Sequence, residues 1–210
     1  KKLLSEQKIL SFNLIVDKDR YTTKKIRFVS ENQQILRVDR ESNEFISRKI
    51  ENKIFSAFED KINYCDVVVI SDYNKGMLTD NLLRSIIELS KRRKKIIIVD
   101  PKKNDFSPYR GSNIITPNFK ELIKSCGNEN IVEEDKKSKV VVKLSKLLIS
   151  KFGFDSVITT RSSDGISIVD KSNKILHLPS KAKEVFDVSG AGDTVIAYIA
   201  SGLSKGKNLY

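Results

Sequence analysis

The stretch Val67–Asp100, VVVISDYNKGMLTDNLLRSIIELSKRRKKIIIVD, decides the fold class. It opens with a β-branched run, Val67 to Ile70, that ends in Ser-Asp-Tyr. Residues 79 to 92 then carry a helical pattern, and Lys95 to Asp100 is a second apolar run. Apolar runs that do not alternate with polar residues, separated by a helix, are what a parallel sheet buried on both faces requires. The pattern continues with a strand at Asn113–Thr116, helices at Asn118–Cys126 and Lys137–Phe152, and a strand at Ser156–Thr160. We therefore expect an α/β fold, a mainly parallel central sheet with helical layers on both sides. Two short runs, Ile166–Val169 and Lys174–Leu178, predict an antiparallel edge, and an apolar helix is expected from Ala191 to about Leu203.

Ahead of this core, residues 24 to 30 and 33 to 39 alternate apolar and polar positions (Ile26, Phe28; Ile35, Val38), with Glu31 and Asn32 between them. That is the pattern of a β-hairpin, expected to expose one face to solvent. A helix is predicted from about Asn43 to Asp60, and Leu3, Leu4 and Gln7 read as the tail of another. Both ends look cut: the chain starts without Met inside a helical pattern, and Ser204–Tyr210 brings no closing element. No internal repeat or low-complexity linker is visible.

Composition excludes several classes of function. A chain of 210 residues can bury a full core, and no apolar run approaches the roughly 18 residues of a membrane span. No secretory leader opens it, and Cys65 and Cys126 lack metal-like spacing, so both read as plain thiols in a reducing, cytoplasmic setting. The net charge of +12 raises nucleic-acid binding as a question. Its distribution answers no: the basic residues lie in small groups, such as Lys91–Lys95, Lys136–Lys139 and Lys181–Lys183, without the interleaved aromatics of a stacking platform.

In open α/β sheets, ligands sit beyond the carboxyl ends of the strands. Polar residues gather there: Asp72 and Lys75, then Asp100 and Lys102, then Asn118 and Glu121, then Thr160 and Arg161. Each alone is explained as a cap, a turn former or a solvated charge; together at one edge they point to a site. The stretch Asp187-Val-Ser-Gly-Ala-Gly-Asp-Thr194 supplies the missing chemistry. Gly190 and Gly192 let backbone N–H groups converge on an anion at the positive end of a helix, and Asp193 stands beside them where a base for an acceptor hydroxyl is needed. It is neither a P-loop nor a dinucleotide fingerprint, and Gly-x-Gly before a helix also occurs in ordinary α/β loops.

Asp187-Val-Ser-Gly-Ala-Gly-Asp193 resembles the C-terminal signature of the ribokinase-like (PfkB) carbohydrate kinases, and Asn118-Phe-Lys-Glu121 resembles their Asn-x-x-Glu motif. Further segments recur in order: Thr23–Arg27, Asn32–Asp39, Ser71–Gly76, Val99–Lys102, Asp105-Phe106, Tyr109–Gly111, Thr116–Asn118 and Thr160–Gly165. That series is similar to the D-glycero-β-D-manno-heptose 7-phosphate kinases of lipopolysaccharide-core synthesis, including the kinase half of the bifunctional kinase/adenylyltransferase. The resemblance implies a three-layer α/β/α sandwich with a small hairpin lid at about 24–39 and a nucleotide-binding and catalytic part at about 61–210. It implies transfer of the ATP γ-phosphoryl to the anomeric hydroxyl of a sugar phosphate. Asp193 would be the base and Gly190, Ala191 and Gly192 the anion hole. Asn118, Phe119, Lys120, Glu121, Thr160, Arg161 and Gly165 would bind nucleotide, with Asn118 and Glu121 holding Mg²⁺ through water. The same Asn118–Glu121 spacing also fits an N-cap and its capping-box partner. Asp72, Lys75, Lys102, Asn32 and Arg37 are candidates for substrate or phosphate contacts, and the lid strands for pairing in a homodimer. Another sugar as substrate, or a nucleotide-binding domain without turnover, stays open.

The chain departs from that family at both ends: the N-terminal strand, aspartate-bearing sugar site and Gly-Gly signature do not appear, nor do the helices that follow the catalytic one. The adenylyltransferase chemistry needs His-x-Gly-His. The single histidine, His177, lies in an expected strand, where a structural role suffices.

Overall fold

The computed structural model describes residue 6 and residues 13–30, 33–127, 137–181 and 190–210. The hairpin is present as β1 (Lys24–Ser30) and β2 (Gln33–Arg40), antiparallel, with Ile26 opposite Val38 and Phe28 opposite Leu36. It is exposed on both faces rather than one: among the described residues its strands pack chiefly on each other. Helix α1 (Arg48–Lys61) starts later than Asn43. The residues before it are held by the loop at 71–76 instead of by a helical turn: the Ile46 N–H donates to the Gly76 carbonyl at 3.0 Å. The expected helix around Leu3, Leu4 and Gln7 lies outside the described residues, as do Asn32 and Asp187–Ser189.

Strands β3 (Val67–Ser71), β4 (Ile96–Asp100), β5 (Ile114–Ile115), β6 (Ser156–Thr160), β7 (Ile166–Asp170) and β8 (Ile175–Leu178) form one sheet in that order. The first four are parallel and the last two add an antiparallel edge, as expected. Helices α2 (Asp80–Arg92), α3 (Phe119–Ser125) and α4 (Lys137–Phe152) connect the parallel strands, and α5 (Ala191–Ser204) follows the edge. Side chains alternate across the sheet plane. Ile97, Val99, Ile115 and Val157 pack against Leu82, Leu83 and Ile86 of α2 and Val141, Leu144 and Leu148 of α4. Ile98, Ile114, Ile158 and Ile168 pack on the opposite face against Ile196 of α5. Each such buried side chain contributes about 1.5–3 kcal/mol. The result is the expected three layers. The α5 layer is the thinner one, and Val69 of β3 on that side is 44% exposed. Among the described residues no helix is long and apolar enough to cross a membrane.

The loop after β3 is pinned from several directions. Asp72 is only 4% exposed; its Oδ1 accepts from the Asn74 N–H at 2.7 Å and its Oδ2 from the Tyr109 hydroxyl at 2.6 Å. Burial, reinforced by that carboxylate, keeps the Tyr109 phenol protonated far above its ordinary range. Arg20 donates to the carbonyls of Lys75 (2.5 Å), Ser42 (3.2 Å) and Glu44. Gly76 closes the turn at φ 74°, where a side chain would overlap the Glu44 carbonyl.

Candidate active site

The carboxyl ends of β3 and β4 and the first turn of α5 converge on one group of residues. Gly190 takes the left-handed conformation, φ 79°, at the N-cap of α5, and its carbonyl accepts from both the backbone N–H and the hydroxyl of Thr194, each at 2.9 Å. A glycine adopts that backbone without steric cost. The N–H groups of Ala191, Gly192 and Asp193 open the helix, where geometry provides no intrahelical acceptor and the dipole is positive. Asp193 is exposed in this turn, and the Tyr73 hydroxyl lies 3.4 Å from its Oδ1 and 3.5 Å from its Oδ2.

Glu121 is held in two ways. Asn118 and Glu121 form the reciprocal capping box: Asn118 Oδ1 accepts from the Glu121 N–H and Glu121 Oε2 from the Asn118 N–H, both at 2.9 Å. The other Glu121 oxygen pairs with Lys102 Nζ at 2.6 Å. This pairing raises the Lys102 pKa. The structure therefore has the capping role in full and sets Lys102 beside it.

Asp100, at the end of β4, completes the group. Burial first, and the negative charge of Glu121 second, push its carboxyl from 3.8 up to about 6; Lys102 opposes the rise and Asp193 adds to it. Between the two values the folded state holds a proton that the unfolded chain has released. The stability contributed by this group is thus complete below the window and lost as pH rises through it. Asp100→Asn should gain stability relative to wild type between about pH 4.5 and about pH 7. Equilibrium urea unfolding at the two pH values checks this, and a gap that stays flat or shrinks contradicts it.

The Thr160–Gly165 turn lies next to Asn118. Thr160 forms an isolated parallel bridge to Asn118, and its N–H donates to the Pro117 carbonyl at 3.2 Å. The Arg161 N–H bonds the Gly165 carbonyl at 2.8 Å, and Gly165 at φ 86° leaves no room for a side chain beside Leu178. The Arg161 Nε is buried with no hydrogen-bond partner among the described residues, so this guanidinium has donor capacity to spare for an anion. His177 packs next to it, bonded to the Ser167 hydroxyl at 2.8 Å; burial, then the Arg161 charge, lowers its pKa. A neutral histidine is the structural element expected there.

The other sequence candidates go elsewhere. Asp72 is interior, with both oxygens engaged. Lys75 pairs with Glu41, and Arg37 pairs with Asp39 at 3.1 Å on the hairpin. Phe119 packs partly into the core while Lys120 is exposed. Two residues gain importance from the structure: Tyr73, which no motif role marked, and Asp100, seen in sequence only as a polar residue at the sheet edge. Among the described residues no group of three His, Cys, Asp or Glu side chains could hold a metal ion. Asn118 Oδ1 and both Glu121 oxygens are engaged by the capping box and Lys102, so a divalent cation beside them would be contacted through water.

Comparison with known proteins bears on the family and the fold. The model of the pfkB family of carbohydrate kinases matches residues 1–210. "Bifunctional protein HldE" of Paramagnetospirillum magneticum is 41% identical over 196 residues, covering 93% of this chain and 39% of that protein. The protein of the same name from Helicobacter hepaticus is 42% identical, covering 94% and 40%. The chain thus spans about two fifths of the length of these relatives. Among solved structures, the tetrameric inhibited form of phosphofructokinase-2 from Escherichia coli superposes with a TM-score of 0.79 at 13% identity, over 99% of this chain and 66% of that one. Ribokinase from Giardia lamblia gives 0.68 at 19%, over 97% and 62%. At such identities the likeness speaks for the fold, which is ribokinase-like. With a family model matched from end to end and relatives near 40% identity over nearly all of its length, the chain belongs to the pfkB family of carbohydrate kinases.

Proposed function

We propose that this chain is the greater part of a kinase domain that transfers the γ-phosphoryl of ATP to the anomeric hydroxyl of D-glycero-β-D-manno-heptose 7-phosphate, giving the 1,7-bisphosphate in the cytoplasm. The observation that carries the reaction type is the placement of Asp193 in the first turn of α5, over a glycine-lined backbone and beside the Asp100–Lys102–Glu121 group. Phosphoryl transfer asks the protein for alignment and charge neutralisation more than for covalent chemistry. Asp193 takes the proton from the acceptor hydroxyl, and the N–H groups of Gly190 to Gly192 receive the charge that develops on the phosphoryl oxygens. Arg161 and the Thr160–Gly165 turn bind nucleotide phosphate, and Lys102 contacts phosphate once released from Glu121. Asn118 and Glu121 hold Mg²⁺ through water; bound there, it neutralises phosphate charge.

The choice of sugar rests on the ordered motifs of residues 23–165 and on relatives that share the name "Bifunctional protein HldE". The hairpin supports self-association: Ile26, Phe28, Leu36 and Val38 stand opposite each other on one face, all about half exposed, and a second copy of that face would cover them.

The test is ADP release from Mg²⁺-ATP by the intact protein with heptose 7-phosphate, fructose 6-phosphate or ribose. Turnover at least about a hundredfold more efficient with the heptose is expected. A preference for another sugar would move the assignment within the family, and nucleotide binding without turnover on any sugar would leave a non-catalytic domain.

A further inference from the structure

We propose that Tyr73 is a positioning residue for Asp193, its hydroxyl fixing the orientation of the carboxylate that receives the acceptor proton; this rests on the reading of Asp193 as the base. Tyr73 is a large aromatic side chain left 56% exposed at the carboxyl end of β3. Exposure of that kind is usually accompanied by mobility, but the backbone on either side of Tyr73 is held. Asp72 is buried between Asn74 and Tyr109, Arg20 grips the Lys75 carbonyl, and the Gly76 carbonyl accepts from Ile46. A fixed backbone carrying an exposed ring is how a functional group is presented rather than packed.

The ring reaches across from β3 to α5, and its hydroxyl sits nearly equidistant from the two Asp193 oxygens, at 3.4 and 3.5 Å. Among the described residues no other side chain bonds Asp193. A carboxylate has about four acceptor positions, so one hydroxyl donor sets its plane and leaves lone pairs for the sugar hydroxyl. Catalytic hydrogen bonds of this length commonly tighten in the ternary complex.

Tyr73→Phe keeps the ring and removes only the donor. In the intact protein it should lower kcat by about tenfold, while KM for ATP and for sugar stays within about twofold, because orientation of the base matters at the transition state and not in binding. Tyr73→Leu should lose about as much, since the hydroxyl and not the ring is at work. In an Asp193→Asn background, Tyr73→Phe should add less than about twofold, as expected of two residues that act as one unit. Unchanged kcat in Tyr73→Phe would overturn the proposal while wild-type turnover kept the kinase reading intact. So would a raised sugar KM at constant kcat, a gain in kcat, or a full tenfold loss in the Asn background. Absence of turnover in wild type with every sugar would remove the base assignment and this proposal with it.

Discussion

Asp193→Ala in the intact protein should lower kcat by about a hundredfold or more while ATP affinity stays within about twofold of wild type. The substitution takes away the proton acceptor and little else. Asp193 is exposed, and the bonds that cap α5 run from the N–H and hydroxyl of Thr194 to the Gly190 carbonyl, without its side chain. Alanine is a good helix former, so the turn that presents the backbone N–H groups remains. Residual activity is expected, because the anion-binding backbone still aligns the phosphoryl group. Steady-state kinetics and calorimetric titration with nucleotide separate the two effects. A kcat within about threefold of wild type would remove Asp193 from the role of base, and a collapse of ATP binding would make it a nucleotide ligand.

Gly76→Ala should destabilise the fold by about 3 kcal/mol or more, and far more than Gly190→Ala, although both glycines have almost the same backbone conformation. Gly76 has φ 74° and Gly190 φ 79°. Left-handed backbone costs an ordinary residue about 1–2 kcal/mol, and Gly190→Ala should cost no more than that, since a methyl there meets nothing within 4 Å among the described residues. At Gly76 the methyl would overlap the Glu44 carbonyl and approach the Asn43 carbonyl oxygen at 2.9 Å. The chain would have to separate residues 43–46 from the 71–76 loop, breaking the bond from Ile46 to Gly76 and the Arg20 clamp on Lys75, Ser42 and Glu44. Urea unfolding of the two variants side by side checks this. Equal losses would mean that the close approach of the two segments is not tight in solution.

The elements that the sequence makes legible are those fixed by local pattern. The apolar runs at β3, β4 and β6 read correctly because a strand covered on both faces needs no partner information to be recognised. The start of α1 did not read correctly, since what holds Asn43–Ile46 out of the helix is a glycine loop thirty residues further on. Asp72 looked like a ligand at the sheet edge, yet the residue that consumes it is Tyr109, 37 positions away. The same limit hid Tyr73, whose contact with Asp193 spans 120 residues. Asp100 was visible as a polar strand end, but its raised pKa comes first from burial and then from Glu121 and Asp193, which lie on two other elements. The hairpin pairing was readable from alternation; its exposure on both faces among the described residues was not, because that depends on what packs beneath it.

Phosphorus NMR of the intact protein with Mg²⁺-ATP and heptose 7-phosphate reads the transfer at the phosphorus atom itself. A new phosphate resonance coupled to the anomeric proton is expected, appearing in step with ADP, and about a hundredfold more slowly with the Asp193→Ala variant. ADP formed without that resonance, or the same product formed at the same rate by the variant, would contradict it.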